Sequence, residues 1–187
     1  MRGIAFLALV LALTANNAWA AEPPLQEGIA AALKTFGELR ENLTTAVAPG
    51  DRAEATRALT KLSECLDSLV RSKRVLTENL VSAQWPQGKN RTIASAQAFK
   101  EDVRKTRMAL ADVFAPLSAE WQSRGGDVLV RLNSGFNGKW KTLDDAAREL
   151  GLPDASSEQF RTESEQLISA AQQLKQLVEG IAGDLAK

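Results

Sequence analysis

The sequence predicts an all-α protein, an antiparallel up-down four-helix bundle preceded by a signal segment, and three observations predict it. Apolar residues recur at spacings of three and four over stretches of about 25 to 33 residues, the pattern of helix faces that pack on one another. Ala, Leu, Gln, Glu, Lys and Arg dominate the composition, whereas aromatics make up only 5% of the chain; such a mixture favours helix throughout. Helix breakers are gathered at a few places and divide the chain into helices at about 24–48, 51–84, 92–123 and 157–186, with a partly irregular, short-helix excursion at 125–156.

Residues 1–20 read as a secretory signal peptide, removed before the remainder folds as one helical domain, 21–187. Arg2 precedes an apolar run from Ile4 to Leu13, and Ala18-Trp19-Ala20 forms an A-x-A cleavage site. The run is short for a membrane span, and no later stretch is apolar enough to be one. The product is therefore expected outside the cytoplasm, periplasmic or secreted.

The first helix follows Pro23-Pro24, and Leu25, Ile29, Ala32, Phe36, Leu39, Leu43 and Ala46 form its coiled-coil-like seam. The short break at Pro49-Gly50 predicts antiparallel packing on the second helix. That second helix, the longest uninterrupted pattern, is expected to open with Asp51 as N-cap and Glu54 completing a capping box. Its seam is Ala55, Leu62, Leu66, Leu69, Leu76 and Leu80, interrupted by Lys73. A turn is expected at 85–91. The third helix presents Ala96, Phe99, Val103, Leu110, Phe114, Leu117 and Trp121, should bend near Pro116 and should stop at Arg124-Gly125-Gly126. In the excursion, Phe136, Trp140 and a short helix at 143–150 supply apolar surface for a lid above Trp121. Phe160, Leu167, Ala171, Leu174, Val178, Ile181 and Leu185 form the seam of the last helix.

Composition excludes much chemistry. The chain has no histidine and one cysteine, so it cannot assemble a Ser-His-Asp or Cys-His centre, an H-E-x-x-H zinc site, a c-type haem attachment or an internal disulfide. Arg2 is the one charged residue of the signal, so cleavage leaves 22 basic against 23 acidic side chains. A chain so balanced has no overall electrostatic claim on nucleic acid or anionic lipid. No metal site or cofactor is expected. Adjacent acids such as Asp144-Asp145 point apart on a helix and read as solvated surface. The stretch 142–152 resembles the first helix and turn of a helix-turn-helix, but no basic recognition helix follows. Asn42 and Asn90 begin N-x-T sequons open to glycosylation in a host with that machinery.

Three sets of residues carry functional expectations. Lys73 and Arg107 are expected to project toward the seam between the second and third helices at similar heights. They read either as a site for a small anion or as long stems covering the seam while their charges reach water. Cys65, on the seam's edge, reads as a small buried hydrophobe or as half of an intermolecular disulfide. Phe136 and Trp140 are the candidate contact for another exported protein. The expected function is thus a non-enzymatic interaction or accessory protein (inhibitor, chaperone-like or assembly factor), the alternative being an extracytoplasmic bundle that binds or senses a small anion. Intact-mass measurement of the exported protein should give a chain beginning at Ala21; retention of residues 1–20 would make that segment an anchor.

Overall fold

A computed structural model describes residues 23–81, 88–132 and 158–187. Residues 1–22, with the expected signal, the residues at 82–87 and the greater part of the excursion, with Phe136 and Trp140, lie outside the described residues. The all-α class holds. Among the described residues six α-helices pack together: α1 (Pro23–Glu41), α2 (Leu43–Ala46), α3 (Arg52–Val81), α4 (Lys89–Phe114), α5 (Ala119–Arg131) and α6 (Glu158–Leu185). None is long and apolar enough to cross a membrane among the described residues.

The seams are where the spacing puts them. Every predicted seam residue of α3 is buried, as are Ile29 and Phe36 of α1, Phe99 and Leu110 of α4, and Leu174 and Ile181 of α6. Together they form one core. The helix directions follow from pairs of touching residues. Lys61 meets Asp112 and Asn79 meets Thr92, so α3 and α4 are antiparallel. Ser63 meets Glu179 and Asp67 meets Lys175, so α3 and α6 are antiparallel as well. Gln26 reaches Glu163 and Arg40 reaches Asp184, which makes α1 parallel to α6.

Two features depart from a plain four-helix bundle. The third predicted helix is two helices. Pro116 lacks an N–H and cannot continue α4; the chain turns between Ala115 and Ser118 and comes back as α5, antiparallel to α1, with Glu38 against Arg124. The expected bend is thus a reversal. Its carbonyls at Ala115 and Leu117 accept from Gln122 Nε2 at 3.1 and 2.8 Å, and Ser118 N–H donates to Ala46 O at 3.1 Å, fastening the corner to the end of α2. In consequence α1 packs along α6 and α5, and α3 lies along α4 and α6, so α3 is not the main neighbour of α1 that the short connection suggested.

The second departure is at Gly125-Gly126, expected to end a helix and found inside α5. Gly125 is there for close approach: a Cβ at this position would overlap the Phe114 ring of α4. Smaller differences concern helix ends. Asn42 interrupts the first helix, its side-chain amide donating to Glu38 O at 2.8 Å. Asp51 belongs to a 3-10 turn (Pro49–Asp51) that runs straight into α3, so it is not the expected N-cap.

The two adjacent glycines give an internal control. Gly125→Ala should lower stability by about 1–3 kcal/mol through overpacking. Gly126→Ala, with nothing within 4 Å of its new methyl, should raise it by about 0.5–1 kcal/mol through helix propensity. Denaturant midpoints that moved alike for both would remove the packing role of Gly125.

Candidate functional site

Lys73 is one of the largest wholly buried side chains, 1% exposed. Its place in the α3 seam points it at α4, where its ammonium stands 5.1 Å from the centroid of the buried Phe99 ring, a cation over an electron-rich face. The expectation that its charge would reach water is therefore not met. Arg107 is half-buried, and among the described residues its Nε is buried without a hydrogen-bond partner.

The two cations do not share a level. The pairs Lys61 with Asp112, Cys65 with Thr106 and Lys73 with Phe99 set the α3–α4 register. Arg107 then falls beside Cys65, about eight residues or about 12 Å along the axis from Lys73 at 1.5 Å per residue. Counting from the predicted turn had placed them together, because it left unknown where the two helices begin and end around that turn.

Cys65 sits half-buried on the flank of α3, and its carbonyl accepts a 3.4 Å bond from Thr106 Oγ1. Burial pushes its thiol above the ordinary value, while the nearby Lys61 ammonium pulls the other way. Lys61 is itself engaged by Asp112 at 2.7 Å. The thiol is thus held in its less reactive, protonated form.

Two grooves are formed by described residues. The wider, about 550 Å³, runs between α1 and α5. It is lined by charges of both signs, including Lys34, Asp127 and Arg131. Arg124, on its edge, is fully committed: it pairs with Glu38 and with Glu120, and stacks 4.6 Å from the centroid of the Trp121 ring.

The narrower groove, about 300 Å³, lies between α3 and α6. Arg74, Thr77 and Glu78 supply one wall; Arg161, Ser164, Glu165, Ile168, Ser169 and Gln172 supply the other. A hollow of about 200 Å³ that includes Val81 shares Thr77, Glu78 and Arg161 with it. These residues recur every three or four positions on each helix, just beside the seams, so antiparallel packing brings two polar edges face to face.

Ser164 was not among the residues that the sequence singled out, yet a signal was present. It stands between Phe160 and Leu167, where the spacing of four and three calls for an apolar residue. The residue is 1% exposed, and among the described residues its Oγ has no hydrogen-bond partner. Other buried hydroxyls are satisfied: Ser63 by Glu179 at 2.8 Å, Ser95 by Thr92 O at 2.9 Å and Thr106 by Asp102 O at 2.8 Å. A buried donor left unpaired is unusual and costly.

No protein-family model, no curated protein and no solved structure matches this chain.

The state of Cys65 has a measurable consequence. Its folded-state proton affinity exceeds that of the unfolded chain, so the stability it contributes is present below the ordinary thiol range and is lost as pH rises through it. Alkylation by iodoacetamide at pH 8 should be at least about tenfold slower in the folded than in the urea-unfolded protein. Equal rates would show a free surface thiol, suited to joining two chains.

Proposed function

We propose that this chain is an exported, non-catalytic helical protein that binds another exported protein in an accessory role, as an inhibitor, chaperone-like or assembly factor. The observation that carries the non-catalytic part is the direction in which the fold moves proton affinities. Acid-base catalysis needs groups tuned toward neutrality. Among the described residues the clear shifts go the other way: hydrogen bonds from Lys187 and Arg40 lower the Asp184 carboxyl, and a hydrogen bond from Arg104 lowers Glu101. Asp67 raises the Lys175 ammonium, Asp112 raises Lys61, and burial raises Cys65. Each group is thereby fixed in its ordinary charge state, which suits recognition rather than proton transfer.

Export rests on the signal-like residues 1–20, and the partner contact at Phe136 and Trp140 rests on their place in the excursion. The mixed charges of the α1–α5 groove suit a polar interface rim. The small-ligand alternative has no support from a shared Lys73–Arg107 level.

Native mass spectrometry of the protein isolated from its exported fraction, without reductant, tests the proposal. A second polypeptide is expected in the complex, lost when Phe136 and Trp140 are both replaced by alanine while thermal unfolding is unchanged. A bare monomer, recovered even after mild cross-linking in the intact cell, would overturn it.

A further inference from the structure

Arg161 stands where two hollows meet. It borders both the α3–α6 groove of about 300 Å³ and the adjoining hollow of about 200 Å³. The register set by Ser63 with Glu179 and Asp67 with Lys175 puts Arg161 level with Val81, and Ile168 level with Arg74. Between these two levels the walls offer Val81, Thr77 and Ile168, all half-buried, so an apolar surface runs along the groove from Arg161.

Two donors sit at the end of this surface with nothing to bind. Among the described residues the Arg161 guanidinium takes part in no ion pair, whereas Lys175, farther along the same edge of α6, pairs with both Asp67 and Glu179. Ser164, three residues from Arg161 and therefore on the same face of α6, is 1% exposed, and among the described residues its Oγ has no hydrogen-bond partner. An acceptor seated beside it would offset the desolvation of its hydroxyl. Of the two carboxylates on the walls, Glu78 is already engaged, and Glu165 is exposed to water.

A guanidinium beside a buried hydroxyl, at the end of an apolar surface, is complementary to a carboxylate with an apolar body. We propose that the groove binds a small monocarboxylic acid of the short- to medium-chain fatty acid kind. Its carboxylate lies on the Arg161 guanidinium and accepts from Ser164 Oγ. Its chain runs from there along Thr77 and Ile168, and Val81 continues the apolar wall opposite Arg161. Glu165, one turn along α6 from Arg161, disfavours a second negative charge beside the first. Arg74 is exposed about 10 Å beyond Arg161, at 1.5 Å per residue, and keeps its charge in water past the end of the chain. The site requires no protein partner, so its failure would leave the interaction proposal standing.

Titration calorimetry of the full mature chain tests this with octanoate, kept dilute enough to remain monomeric. The controls are acetate, which lacks the apolar body, 1-octanol, which lacks the charge, octylamine, which reverses it, and adipate, which adds a second carboxylate. Octanoate is expected to bind more tightly than all four. Ser164→Ala and Arg161→Met should each weaken its binding by about tenfold or more, the loss of one charge-assisted hydrogen bond, whereas Arg74→Met should leave it within about twofold. Arg161 is exposed, and Ser164→Ala removes an unpaired buried donor, so both variants should unfold at or above the parent temperature. The proposal is overturned if octanoate does not bind, if any control binds as tightly, if binding survives both α6 substitutions, or if Arg74→Met weakens it as much as Arg161→Met.

Discussion

The corner between α4 and α5 is the constraint on which the arrangement depends. Phe114, the last residue of α4, lies on the bare Cα of Gly125 and meets the Phe36 ring of α1 edge-on, with centroids 5.4 Å apart and planes at 62°. Three helices are thereby joined by one aromatic side chain. Because Pro116 ends α4 immediately afterwards, α5 can return beside α1 instead of extending past the end of the bundle. Gly28 of α1 repeats the arrangement farther along: a Cβ there would overlap Leu132, so α1 closely approaches the C-terminal end of α5.

With that slot filled, α3 and α6 become the long antiparallel pair at the centre of the fold. Ion pairs at the edges mark the register without supplying much of its energy. Arg40 with Asp184, Lys61 with Asp112 and Lys175 with Asp67 are all partly exposed. Exposed pairs contribute at most about 1 kcal/mol each, whereas one buried leucine contributes about 2 kcal/mol. Register is thus set mainly by how the seams interdigitate, and the charges discriminate against alternatives.

The seams carry two polar residues where apolar ones are expected, and the fold treats them differently. Lys73 is drawn inside and its charge placed over Phe99. Ser164 is equally buried, and among the described residues its Oγ has no hydrogen-bond partner. The first reads as an element of helix packing. The second is the more informative departure, because buried polar groups in helices are ordinarily satisfied by a carbonyl one turn back, as Ser95 and Thr106 are here.

The sequence by itself determined the all-α class, the seam of each long helix and the break near Pro116, because these depend on local periodicity and on residues that cannot join a helix. It also excluded histidine-dependent chemistry outright. What the chain does beyond a break is not local. Pro116 announces an interruption, but only the packing of Phe114 on Gly125 makes it a reversal, and the same packing turns a glycine pair from an expected stop into the interior of α5. Likewise, Lys73 and Arg107 were legible as seam cations, but their heights depend on the register between two helices. Ser164 was visible as a gap in the repeat, but that its hydroxyl is buried without a partner among the described residues appears only once the helices are packed. Spacing along one helix fixes which face a residue occupies; which residue stands opposite is decided by long-range packing, whose energy is spread over the whole core.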